Sequence, residues 1–376
     1  MNVLVTGGAG FIGTHLARRL LREGCSVTIL DNFHPQIHGK RQSLPPDLAP
    51  HVDLQIGDVR DESIVAQALM GQDVVVHLAA ETGTGQSMYE ILRYEEVNIR
   101  GTAVLIHSLA NDKASHVRKL VVASSRAVYG EGRYKCKADG DVYPDGRSVR
   151  DMLVGCFEPR CPVCGESCEV QPTTEDAPLK PSSFYGLTKQ VQEQMSLMYA
   201  KAMGFSGIAL RFQNVYGPGQ SLKNPYTGIL AIFSNQARLN APINIFEDGL
   251  ESRDFVYVDD AIEAIRRSIK GSDLPVLPLN VGSGERVTVK EVVQEIKKFF
   301  SSQSQISTTG AFRQGDTRHS VADLSKARET IGFEPRWRFH DGIRQFSNWA
   351  SSQAQAACQY ETSLQEMRQR GLLHGG

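Results

Sequence analysis

The sequence predicts an α/β protein built on a doubly wound parallel sheet. Short β-branched runs alternate with amphipathic stretches through the first 130 residues, the rhythm of parallel strands joined by helical crossovers. The first of these strands runs directly into a glycine-rich turn, "TGGAGFIG". The second ends on an acid, in "ILDN". Together the three features describe a Rossmann-type sheet. A smaller C-terminal substrate-binding domain and a cysteine-rich insertion complete the expected architecture.

The elements follow in order. "MNVLVTG" is the first strand, and "FIGTHLARRLLREG" has apolar residues at helical spacing with Gly24 expected as C-cap. "SVTILDN", "DLQIGD", "DVVVHLAA" and "RKLVVASS" are the next four strands. From Gly130 to Pro172 the apolar period breaks, and an insertion with little regular structure is expected. Order resumes in "SSFYGLTKQVQEQMSLMYAKAMG", a long helix opened by serines, and in the strand "SGIALRFQN". The stretch from "VYGPGQ" to about Asp254 reads as loop-rich. "VYVDDAIEAIRRSIKG" is a strand leading into a helix with Asp259 as its expected cap, and "LPLNVGSGERVTVKEVVQEIKKFF" repeats that arrangement. These signals place the dinucleotide-binding domain at 1–130, continued by 172–215 and 255–282. The insertion is 131–171, the substrate-binding domain 216–254 and 283–350, and 351–376 a polar, Gln-rich tail that is either a peripheral helix or unstructured.

Composition narrows the function classes. The chain has 376 residues, 41% hydrophobic and 22% charged, with a formal net charge of -1. That balance gives no reason to expect nucleic acid or an anionic membrane as partner. No apolar run approaches the ~20 residues of a membrane-spanning helix. The N-terminus reads as a strand and turn instead of an export signal, so a cytoplasmic location is expected.

In the glycine turn, Gly7, Gly10 and Gly13 let the chain bend tightly, admit a pyrophosphate to the backbone N–H groups and pack the helix against the sheet. Asp31, at the end of the second strand, is placed for both hydroxyls of an adenosine ribose, and its charge would repel a 2′-phosphate. NAD is therefore expected over NADP. Asp58, after the third strand, is placed to meet the adenine amino group.

"FYGLTK" sets Tyr185 and Lys189 four residues apart, on one helix face. An ammonium and a nicotinamide cation beside a phenol favour its ionised form, and a base usable near neutral pH is expected. Ser124 and Ser125 of "VVASSRAVYG" end the fifth strand, on the ligand side of the sheet.

With these pieces in view, the chain resembles the extended short-chain dehydrogenases/reductases of the nucleotide-sugar epimerase/dehydratase family, NAD-dependent enzymes. The likeness covers essentially residues 1–350. It rests on "TGGAGFIG", "LDN", "HLAA", "VNIRGT", "SSRAVYG", "YGLTK", "LRFQNVYGPGQ", "RDFVYVDD" and "GDTRHSVADLSKARETIGFEP". The resemblance implies Tyr185 as base, Lys189 as its electrostatic and ribose-binding partner, and Ser125, not Ser124, as the hydrogen-bonding helper. It implies a cofactor site of Gly7, Gly10, Phe11, Ile12, Gly13, Asp31, Asn32, Asp58, Val59, Leu78, Ala79 and Ala80, with Asn98 supporting the active-site helix. It assigns Thr82, Ser125, Arg126, Asn214, Arg253 and Arg313 to a nucleotide diphosphate sugar, the arginines as phosphate clamps. Ser320 falls where some epimerases carry a tyrosine, which implies a roomier sugar pocket. By analogy the protein is expected to be a homodimer, with Val191, Met195 and Met198 of the Tyr185 helix facing either a partner or the sheet.

The 4,6-dehydratases of this family carry an Asp-Glu pair directly after the catalytic hydroxyl. Here those positions are Arg126 and Ala127, and neither can protonate a leaving group. The expectation is therefore reversible oxidation at C4, a turn of the keto sugar and re-reduction from the other face, which is 4-epimerisation. A decarboxylase or reductase of the same family is the alternative, and a non-catalytic NAD-binding regulator a more distant one.

Four of the seven cysteines lie in "CFEPRCPVCGESC". The "CPVCG" pattern there is that of a zinc knuckle. Cys136, Cys161 and Cys164 are expected to bind a structural zinc ion, with Cys156 or Cys168 as the fourth ligand and Asp139 a weaker candidate. The insertion resembles that of bacterial 4-epimerases of dTDP-linked 6-deoxyhexoses.

Overall fold

The computed structural model describes residues 1–112, 116–222, 224, 228–271, 274–354 and 360–375. Seven strands form one parallel sheet: β1 (Asn2–Thr6), β2 (Ser26–Asp31), β3 (Asp53–Ile56), β4 (Val74–His77), β5 (Lys119–Ser125), β6 (Ser206–Phe212) and β7 (Leu277–Val281). Their spatial order is β3-β2-β1-β4-β5-β6-β7. Strand order reverses between β1 and β4, where the loops leaving the carboxyl ends part and open a crevice. Alternate residues of one strand serve opposite cores. Val3 and Val5 face one cluster, and Leu4 faces the other. Helices on both faces therefore require strands that are apolar throughout.

On the first face lie α1 (Phe11–Arg22) and, in contact with it, the later helix Val258–Lys270. On the second, α2 (Glu62–Leu69) packs on α3 (Gly101–Asn111), and α4 (Phe184–Met203) crosses β5 and β6. Chain ends follow cap chemistry. Gly24 takes φ +74° just past the α1 C-cap at Glu23, and the Ser183 hydroxyl caps α4 by accepting the Gly186 amide at 3.2 Å. Asp259 is not a cap: the Val258–Lys270 helix starts one residue earlier, and Asp259 stands in its first turn.

Three regions carry more structure than their sequence shows. Residues 229–238 form α5 (Ile229–Arg238), a ten-residue helix buried from Leu230 to Asn235 and at Ala237. The insertion holds an antiparallel three-stranded sheet, Tyr134–Cys136 between Gly140–Val142 and Cys168–Val170, and a short helix, Val149–Leu153. Strands of three residues are too short to display an alternation. The tail supplies a helix, Tyr360–Gln369, and a strand, Leu373–His374, which pairs with Phe312–Arg313. Cys358 lies outside the described residues. Among the described residues no helix is long and apolar enough to cross a membrane.

Candidate active site

A cleft of about 750 Å³ runs along the carboxyl ends of the strands. Gly7, Gly10, Phe11, Ile12, Gly13, Asp31, Asn32, Val59, Leu78, Ala79 and Ala80 line it, as do Thr82, Ser125, Arg126, Tyr185, Lys189 and Asn214. Gly7 has φ +67°, and a Cβ there would stand 2.8 Å from the Ala79 amide nitrogen. At Gly13 a Cβ would meet the Gly8 backbone at 2.5 Å. The N-terminal turn of α1 has no side-chain cap, so its amides are available to an anion in the cleft. This cradle fits a dinucleotide pyrophosphate.

Asp31 is largely buried, accepting the Ala9 and Phe33 amides at 3.0 and 2.9 Å, with His38 Nε2 at 3.3 Å. Asp58 does not line the cleft. Its carboxylate is taken by Arg60 and by Asn32 Nδ2 at 2.9 Å. Burial alone would raise its pKa, but the Arg60 and Asn32 bonds outweigh that and hold it below the usual range. The expected contact of Asp58 with an adenine is therefore not prepared here.

At the centre of the cleft stand Ser125, Tyr185 and Lys189. Burial pushes the Tyr185 phenol up. A hydrogen bond from Ser125 and the charge of Arg126 oppose it. Lys189, one turn along α4, lines the same cleft. Burial pushes its own pKa down to about 7, against an upward pull from Glu193. Lys189 Nζ bonds Gln192 Oε1, one turn along the helix. A low-dielectric site disfavours phenolate and ammonium alike. Ser124 turns away from the chemistry and donates to Glu193 Oε2 at 2.5 Å.

Asn98 sits fully buried in a π-helical turn, Glu95–Arg100, that runs into α3. It donates to Thr188 Oγ1 at 2.9 Å and so ties this turn to α4 beside Lys189. It does not line the cleft.

The arginines differ among themselves. Arg126 lines the cleft and donates to Asn214 Oδ1 at 2.8 Å and Thr317 Oγ1 at 3.0 Å. Burial and the nearby Arg253 charge push its pKa down to about 10. Arg253 and Arg313 stand outside the cleft lining. Arg253 Nη1 donates to two backbone carbonyls, and Arg313 Nε to Asp316 at 2.8 Å. Ser320 is likewise set back, donating to Gln213 Oε1 at 2.8 Å.

The structure gathers Cys136, Asp139, Cys161 and Cys164, with their donor atoms all within 4.8 Å of one another. Asp139 thus takes the corner expected for Cys156 or Cys168. The turn after Cys136 folds the carboxylate back, to 3.4 Å from Cys136 Sγ and 3.1 Å from Cys161 Sγ. A sequence signal for this exists. Cys136-x-x-Asp139 has the same two-residue gap as Cys161-x-x-Cys164. Cys156 is exposed on a separate loop. Cys168 faces Cys136 across the strand ladder, outside the four-donor group.

Two buried groupings escaped the sequence reading because their members are scattered along the chain. In one, Arg211 and Glu193 form an ion pair at 2.6 Å beneath α4. In the other, His77 bonds Thr6 at 2.7 Å, Thr102 at 3.1 Å and Gln192 at 3.0 Å. Burial, then the Lys189 charge, push His77 from 6.5 down to about 3. Between those values the unfolded chain binds a proton that the folded one refuses, so stability falls as pH drops from about 6.5 toward 3. Denaturation midpoints measured between about pH 7 and 5 should fall more steeply for the parent than for His77→Gln. Parallel slopes would remove His77 from the account.

Comparison with known proteins agrees with this geometry. The model of the NAD-dependent epimerase/dehydratase family matches residues 3–146 and 161–282. The dTDP-L-rhamnose 4-epimerase of Burkholderia thailandensis is 36% identical over 357 residues, covering 93% of this chain and 95% of that protein. Among solved structures, the UDP-glucose 4-epimerase of Thermotoga maritima with UDP-glucose superposes with a TM-score of 0.74 at 28% identity, covering 93% of this chain and 99% of that one. The Thermus thermophilus UDP-glucose 4-epimerase complex with NAD gives 0.74 at 28% identity, covering 94% of this chain and 100% of that one. The chain belongs to the NAD-dependent epimerase/dehydratase family.

Proposed function

We propose that this protein is a nucleotide-sugar 4-epimerase that converts dTDP-L-rhamnose to dTDP-6-deoxy-L-talose. The observation that carries the reaction is the gathering of Ser125, Tyr185 and Lys189 in the lining of one cleft, with no carboxylic acid at 126 or 127. The 36% identity to a dTDP-L-rhamnose 4-epimerase supports the substrate.

NAD, when bound, would accept a hydride from the sugar and return it. Gly7, Gly10, Gly13 and the α1 amides would hold its pyrophosphate, and the Asp31 carboxylate would favour it over NADP. Tyr185 takes the proton of the C4 hydroxyl and later gives it back. Ser125 holds that hydroxyl in line, and Lys189 supplies positive charge one turn below. Asn214 and the arginines grip the diphosphate, which leaves the sugar free to turn. A structural zinc ion in the cysteine cluster has no share in this chemistry, since residues 131–170 do not line the cleft. The exposed Leu187 and Met198 of α4, with Leu92 nearby in sequence to the π turn, offer an apolar face to a second copy in a cytoplasmic homodimer.

The test is a panel of dTDP-, UDP- and GDP-sugars followed by NMR. Inversion at C4 without net NADH is the expected result, best with dTDP-L-rhamnose. Release of CO₂ or stoichiometric NADH would replace this reading with decarboxylation or simple redox.

A further inference from the structure

The segment Asp316–His319 stands between the cysteine-rich insertion and the three arginines. On one side it anchors them. Arg126 bonds Thr317 Oγ1 at 3.0 Å, Arg253 bonds the Arg318 carbonyl at 3.0 Å, and Arg313 bonds Asp316 at 2.8 Å. On the other side the insertion holds the segment. Arg147 Nη2 donates to the Asp316 carbonyl at 2.8 Å, and Glu131 accepts the Arg318 amide at 2.8 Å. Glu158 takes the Arg318 guanidinium at 2.7 Å and His319 Nε2 at 3.1 Å. Arg318 is wholly buried, with Glu247 and Asp248 as further partners. A buried guanidinium bound by several carboxylates has one low-energy position, so whatever fixes Glu158 and Arg147 fixes this segment.

The insertion's own apolar core, Tyr134, Cys136, Val142 and Cys161, is too small to fix them. Met152 and Phe157 pack against Phe312, beside Arg313, and Tyr143 against Val128, Tyr129 and Ala177. Cys161 of the four-donor group follows Glu158 by three residues. Cys136 Sγ and Cys164 Sγ are 3.5 Å apart, far beyond the ~2.0 Å of a disulfide. Donors at ~2.0–2.3 Å from one tetrahedral zinc ion stand ~3.3–3.8 Å from each other. The turn is shaped for it: Gly165 takes φ +78°, the Cys161 amide donates to the Glu166 carbonyl at 2.8 Å, and the Val163 amide donates to Cys161 Sγ at 3.4 Å.

We propose that Cys136, Asp139, Cys161 and Cys164 bind a zinc ion that locks Arg147 and Glu158 in place and, through residues 316–319, aims Arg126, Arg253 and Arg313 at the substrate diphosphate. The ion rests on the four donors alone, and the diphosphate role rests on the nucleotide-sugar reading above. The insertion is then a remote positioning device: metal occupancy sets substrate affinity and leaves the cofactor half of the cleft untouched.

The experiment pairs zinc content by mass spectrometry with calorimetric titration of dTDP, UDP and, separately, NAD. The parent should carry about one zinc per chain. Cys164→Ser, at an exposed position, and Asp139→Ala should lose it, and Cys168→Ser should keep it. In the zinc-free variants the Kd for dTDP should rise about tenfold, equivalent to about 1.4 kcal/mol, with NAD affinity within about twofold of the parent. Glu158→Gln should keep the metal and still weaken dTDP, which separates positioning from loss of fold. A zinc-free parent, or zinc lost from Cys168→Ser and kept in Asp139→Ala, overturns the donor set. Loss of zinc with unchanged dTDP affinity overturns the coupling. Failure of both diphosphates to bind the zinc-loaded parent overturns the nucleotide-sugar reading and the diphosphate role with it, and the zinc content stands as a separate result.

Discussion

Replacing Tyr185 by phenylalanine is expected to slow C4 epimerisation by a factor of about 10³, within the range that one positioned proton-transfer group supplies. The substitution removes one oxygen and preserves the ring, so the edge contact with Tyr94, centroids 6.4 Å apart, survives. NAD and dTDP binding should stay near parent values, and the loss should fall in kcat. The same phenol should contribute a limb to the rate profile. Burial raises its pKa, and Ser125 and Arg126 pull it down. Arg126→Met should therefore move that limb to higher pH, because the phenolate loses a favourable charge. A Tyr185→Phe enzyme that interconverts the two sugars at the parent rate would refute the proposed chemistry.

The fold was legible because it is written in local signals. Strand–glycine–helix at residues 2–22, an acid closing β2 and serines before α4 are each contained in one short window. So is the Tyr185–Lys189 spacing. What the sequence conceals is long-range. The pairing of Glu193 with Arg211, the bonds of His77 and the grip of Glu158 on Arg318 join residues up to 160 positions apart, a separation seen only once the chain is folded. Burial hides other features. The desolvation that opposes the Tyr185 phenolate and the Lys189 ammonium follows from packing, which spacing does not report. Asp139, the weaker candidate by sequence, stands with Cys136, Cys161 and Cys164 in the fold. The equal gaps of Cys136–Asp139 and Cys161–Cys164 were the stronger signal. Arg253 and Arg313, matched by motif, are held by backbone carbonyls and by Asp316, bonds that a one-dimensional pattern does not report.

The ion pair beneath α4 carries the largest expected effect on stability. Arg211 reaches Glu193 through Nη2 at 2.6 Å and Nε at 3.0 Å, with both side chains almost fully buried. Arg211 also donates to Tyr129 Oη at 2.8 Å and the Glu175 carbonyl at 2.9 Å. Glu193→Gln leaves that guanidinium buried without its counter-charge, a change that costs about 3–5 kcal/mol where it has been measured. Against a total stability of about 5–15 kcal/mol, the variant should unfold at much lower denaturant concentration. Replacing both partners by apolar residues, Glu193→Leu with Arg211→Met, should recover most of the loss, because no charge is then stranded. A double variant as unstable as the single one would assign the cost to packing. Activity should report a second consequence. Glu193 is the group that opposes burial at Lys189, holding its pKa near 7. Without that carboxylate the ammonium gives up its proton at lower pH. The charged form of Lys189 then disappears earlier as pH rises, and the limb of the rate profile that reports Lys189 should move to lower pH in both Glu193 variants. The recovered stability of the double variant allows that shift to be measured on a folded enzyme, and an unmoved limb would show that Lys189 does not act through its charge.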